Sequence, residues 1–171
     1  MTNSINPYEG ASSYNRFLMQ EDLPGVFHSS YAIENFYFTD RLDLFAVVEP
    51  GRRALLIDTG HPVMCGTEPI DRAVEDNDVP WENVEVFLTH FHDDHDENLQ
   101  YVLDRGAGAF YSGPAVPWTE ASREAFLRQT GALRAGDRAI SDWADILMGR
   151  DHFTPALEER VRQLPEGEAL S

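Results

Sequence analysis

Apolar residues fall at every second position along much of the stretch from Phe36 to Val48, at Phe36, Phe38, Leu42, Leu44, Ala46 and Val48. A period of two predicts a β-strand, and Glu49-Pro50-Gly51-Arg52 predicts a turn into a second strand at Ala54-Leu55-Leu56-Ile57. The unbroken aliphatic run of that second strand predicts burial on both faces. Asp58-Thr59-Gly60 ends it abruptly, either as a turn or as a place where a sheet presents a functional carboxylate. The spacing becomes helical over 68–77, with Pro69 suited to a first turn and Asn77-Asp78-Val79-Pro80 as a stop. Val84-Glu85-Val86-Phe87-Leu88 predicts a third strand, Leu99, Val102 and Leu103 a helix ended by Gly106, and Ala109-Phe110-Tyr111 a fourth strand. Strand and helix alternate through the middle of the chain, as in α/β layers.

The two ends follow different patterns. Residues 1–24 are polar and turn-rich and read as a loosely held arm with a short helical piece from Tyr14 to Gln20. After Gly113 the strand signals give way to a helical block, with helices capped by Thr119, by Ser141 and by Thr154 with Pro155; the last carries Leu157, Val161 and Leu164. Ala169-Leu170-Ser171 reads as the start of a further strand. The expected organisation is an arm over 1–24, an α/β unit over 25–112 and a helical insertion over 113–171.

A chain of 171 residues holds one ordinary core. Thirteen Lys and Arg against 30 Asp and Glu give a formal charge of -17, a field that repels polyanions, so no nucleic-acid partner is expected. One cysteine, Cys65, excludes an internal disulfide framework. The first 25 residues carry no long apolar run, so neither a signal peptide nor a membrane span is expected, and a cytoplasmic address fits.

Three of six histidines, His90, His92 and His95, crowd into six positions together with Asp94. Imidazole nitrogens and a carboxylate oxygen are donors that Zn(II) prefers. His90 and His92, two apart on an extended segment, point to one side and can reach a single ion, while Asp94 and His95, where the helix begins, can face a second. The plainer alternative is a histidine-rich surface turn stabilised by capping.

The strand ending in Leu55-Leu56-Ile57-Asp58-Thr59-Gly60, followed by Thr89-His90-Phe91-His92-Asp93-Asp94-His95 between strand and helix, resembles the metallo-β-lactamase superfamily of metallohydrolases. The resemblance implies the N-terminal half of an αββα sandwich interrupted by a helical insertion. It implies that His90 and His92 bind a first zinc, that Asp94 and His95 belong to a second, and that Asp94 orients the catalytic hydroxide. Asp58 becomes a supporting carboxylate beneath the site. The implied enzyme is a binuclear zinc hydrolase in which metal-activated hydroxide attacks an ester, thioester, lactone, lactam or phosphoester of a small molecule. Iron or manganese would suit the same donors, and a homo-oligomer is compatible with the reading.

Two departures stand out. Glu97 and Asn98 occupy the place where the superfamily usually has one or two glycines, and its third histidine, bridging Asp and last histidine are absent from this sequence. An incomplete, non-catalytic fragment or a binding module that needs a second half or a partner chain is therefore the alternative. His61 is a candidate for a supporting or substrate-facing role, and His152 for a capping or surface role. Trp118 and Trp143 read as helix-packing residues that could instead line a cleft.

Overall fold

The alternating pattern orders a single sheet in the computed structural model, which describes residues 12–34, 39–113, 119–129 and 154–165. Its strands are β1 (Ser12–Leu23), β2 (Val26–Glu34), β3 (Thr39–Glu49), β4 (Arg53–Ile57), β5 (Val84–Leu88), β6 (Ala109–Ser112) and β7 (Val161–Gln163). They lie in chain order across seven positions. β1 to β4 pair antiparallel, and β4 to β7 pair parallel. The β3–β4 turn is the expected one: Arg52 N–H donates to Glu49 O at 2.9 Å, and Gly51 takes φ 70°. The helices are α1 (Glu68–Val74), α2 (Asp93–Asp96), α3 (Leu99–Asp104), α4 (Glu120–Gln129) and α5 (Pro155–Arg160).

One face of the sheet carries the main core. Ala46, Val48, Ala54, Leu56, Val84, Val86, Leu88 and Phe110 pack with Ile70 and Val74 of α1, Leu99 and Val102 of α3, and Leu157 of α5. The other face is also apolar, because Phe45 aligns with Ile57, Ile57 with Phe87, and Phe87 with Tyr111 across four strands. Phe45 and Val47 on that face are 38% and 45% exposed, and Leu55, Ile57 and Phe87 are half-buried. The expectation of a β4 buried on both faces is thus corrected. Its aliphatic run reflects two apolar faces, of which the described helices cover one.

The mixed α/β class expected from the sequence is the observed one. Two local expectations are overturned. Residues Ser12–Leu23 form an edge strand instead of a loose arm with a helical piece, and a polar sequence suits an edge. The helix begun by Thr154 stops at Arg160, where Val161–Gln163 joins β6 in parallel. Both expected caps that can be followed are present: Leu157 N–H donates to Thr154 Oγ1, and Thr119 and Ser122 exchange backbone-to-side-chain bonds at the start of α4. The helix expected after Ser141, residues 169–171, Trp118, Trp143 and His152 lie outside the described residues. Among the described residues, no helix is long and apolar enough to cross a membrane.

Candidate metal centre

Strands β4 and β5 run side by side and end together, which brings the two motifs of the sequence into contact. Crevices beyond the carboxyl ends of parallel strands are where such sheets gather functional groups. Asp58 leaves β4 with φ 61°, a left-handed conformation strained for a residue with a side chain. Its N–H donates to Phe87 O at 2.9 Å, and its buried carboxylate turns toward the segment after β5. There it accepts three hydrogen bonds: from Thr89 N–H at 2.8 Å, from the Thr89 hydroxyl at 2.7 Å and from His95 Nδ1 at 2.8 Å.

These contacts fix where the imidazole protons sit. A carboxylate only accepts, so His95 carries a proton on Nδ1, and in its neutral form Nε2 keeps the lone pair. The single hydroxyl proton of Thr89 goes to Asp58, so Thr89 Oγ1 accepts from His90 Nδ1, 2.9 Å away. His90 therefore also keeps Nε2 as a free base. The His90 ring centroid lies 4.3 Å from that of His92 and 4.1 Å from that of His95. His95 thus stands as near His90 as His92 does.

Electrostatics favour neutral, donor imidazoles at His90 and His92 and the protonated form at His95. Burial holds the pKa of His92 down to about 4, helped by the nearby His90 and His95, and burial likewise lowers that of His90. Burial also acts on His95, but the hydrogen bond to Asp58 and the charges of Asp94, Asp58 and Asp96 outweigh it and raise its pKa. Asp94 Oδ2 stands 3.5 Å from His95 Nε2. Two donors sharing a tetrahedral zinc at ~2.0 Å would stand roughly 3.3 Å apart, so this pair fits one cation. Asp58, His90 and His95 bring ligand atoms within reach of one ion, whereas among the described residues no such group of three includes His92 or Asp94; the Asp58 oxygens also accept from Thr89 and His95, which ties the carboxylate to the histidine segment.

His61 lies to one side, buried, with its Nε2 2.7 Å from Glu97 Oε2. Its Nδ1 accepts from Val63 N–H at 3.0 Å, so Nε2 bears the proton and donates to Glu97. His61, Asp93 and Glu97 are close enough together to suggest a cation site, yet this tautomer removes the lone pair that a metal would need. The superfamily resemblance named neither Thr89 nor Asn98 as part of the site. Thr89 was legible only as the residue before the histidines, and the bonds of both cross more than 30 residues of sequence.

No family model and no curated protein matches the chain. Among solved structures it is similar in part to MEM-A1, a subclass B3 metallo-β-lactamase isolated from a soil metagenome library, with 17% identity and a TM-score of 0.33 over 48% of this chain and 29% of that one. It is similar in part to the Rm3 metallo-β-lactamase, with 21% identity and a TM-score of 0.34 over 50% of this chain and 29% of that one. The chain spans less than a third of the length of either structure.

Proposed function

We propose that the end of the β4–β5 pair is a divalent-metal centre, with zinc its best-suited ion, and that it serves hydrolysis of a small-molecule ester, thioester, lactone, lactam or phosphoester. The observation that carries this reading is the clustering of the His90, His92 and His95 rings beyond β5, with the Nδ1 atoms of His90 and His95 engaged by Thr89 and Asp58 so that their neutral forms leave Nε2 for a metal. His90, His92 and His95 would hold the metal through ring nitrogens and Asp94 through a carboxylate oxygen. A bound cation would supply Lewis acidity and make water acidic enough to ionise near neutral pH. Asp94, beside His95 Nε2, would accept a hydrogen bond from the attacking water and fix its direction. Asp58 keeps the His95 ring oriented and raises its basicity.

Four donors are few for two ions, and this favours a second reading in which the chain binds metal without turnover until further ligands are supplied. The two are separated by elemental analysis of the purified, zinc-equilibrated chain together with a hydrolysis screen over the five substrate classes. Zinc retained by the wild type and lost by His92→Ala, with turnover of any class, supports the hydrolase. Zinc retained without turnover supports the binding reading, and equal zinc in both proteins contradicts the centre itself.

A further inference from the structure

Asn98 stands at the N-cap of α3, a place where an asparagine is ordinarily explained by capping. Its side chain makes no cap bond. The buried amide donates instead to Thr59 O at 3.0 Å and Gly66 O at 2.9 Å, while Asn98 N–H donates to Gly60 O at 3.0 Å. The return contacts run the other way: Thr59 N–H and Gly60 N–H both donate to His95 O, at 2.7 and 3.0 Å. Glu97, one residue earlier, accepts from His61 on the same loop. Residues 59–66 are thus laced to residues 95–98 directly after Asp58, and the left-handed Asp58 lies at the edge of the lacing, bonded itself to His95. A strained backbone persists only where its surroundings over-determine it.

We infer that Glu97 and Asn98 are positioning residues: they clamp the loop after β4 against the α2–α3 junction, and so hold the Asp58 carboxylate where it sets the His90 and His95 tautomers. The clamp deepens the metal-centre reading and rests on it for the zinc response alone. A glycine at either position would remove a side-chain bond to the 59–66 loop, and the Asp58 turn would lose a constraint.

The test uses wild type, Asn98→Ala, Asn98→Asp, Glu97→Ala and Glu97→Gln. Imidazole ¹H–¹⁵N correlation spectra of the metal-free proteins, taken above the raised His95 pKa as located by titrating each protein, report which nitrogen is protonated. Wild type should show His90 and His95 protonated on Nδ1. Both Asn98 variants should show mixed tautomers and bind zinc roughly 10–100-fold more weakly, the range for supporting partners of metal ligands. Glu97→Ala should shift the same way, and Glu97→Gln, whose amide oxygen can still accept from His61, should restore the wild-type spectrum. Unchanged tautomers and zinc affinity in Asn98→Ala and Glu97→Ala, with only stability reduced, would overturn the clamp. If the Asn98 variants fail to fold, the Glu97 pair decides by the same criterion. If wild type binds no zinc, the metal centre fails, and the metal-free spectra still judge the clamp.

Discussion

His92 is neutral in the folded chain down to a pH of about 4, whereas an unfolded histidine titrates near 6.5. Between those values the unfolded chain binds the extra proton, so this residue makes the fold less stable as pH falls through the window. His95 has the opposite sign: its raised pKa contributes stability that is full below the ordinary value and is lost as pH rises through the folded one. In urea unfolding of the metal-free protein, His92→Gln should therefore lose less stability than wild type between neutral pH and pH about 4.5, a point inside the window. Identical pH profiles would show that the ring is not held neutral. Asp58→Asn, which keeps the shape and removes the charge, should lower zinc affinity roughly 10–100-fold and bring the His95 pKa down, measured by chelator competition and by proton NMR. The histidine and aspartate cluster was legible because its residue types and spacing announce their chemistry. The proton wiring was not, since the choice of Nδ1 over Nε2 depends on Thr89 and Asp58, 31 residues apart in sequence.

The β4–α1 loop bears its tightest constraint at Gly60, which has φ 74°; a methyl group added there would sit 2.5 Å from Cys65 Sγ and 3.1 Å from Leu44 Cδ1. Gly60→Ala should destabilise by about 2–4 kcal/mol, from the left-handed backbone and the overlap together. Cys65→Ala in the same chain should return part of that loss and leave the backbone share, as read by a double-mutant cycle in denaturant. Burial pushes the Cys65 thiol up to about 11, so this exchange removes packing and weak thiol hydrogen bonds to His61 O and Gly66 O, not a reactive group. At this scale the sequence was a good guide where apolar periodicity was strong. Val84–Leu88 appears with the expected limits, and α3 gives way at Gly106, which takes φ 99°. β1 escaped because an edge strand needs little apolar alternation, and its serines, asparagine and glutamine imitate a loop. β7 escaped because Val161 and Leu164 are three apart, which suits a helix as well as a short parallel strand.

The charge of -17 acts on the whole molecule. Exposed pairs such as Arg53 with Glu49 and Arg72 with Glu68 offset little of it, since surface pairs contribute about 0–1 kcal/mol each. Raising sodium chloride from low ionic strength to about 0.15 M, where the screening length is ~8 Å, should therefore raise the melting temperature of the metal-free protein, read by calorimetry. A fall on adding salt would mean that local pairs outweigh the general repulsion. The division of the sheet at β4 bears on the order in which the molecule assembles. β1–β2 and β3–β4 close through short turns, whereas β4–β5 requires the whole of 58–83 to be laid down as a crossover. Contacts between residues near in sequence form early and distant ones late. The donors after β5 and the carboxylate after β4 meet across the first of these late pairings, so zinc should leave the refolding rate almost unchanged and slow unfolding instead, the kinetic mark of a ligand captured after the barrier has been crossed.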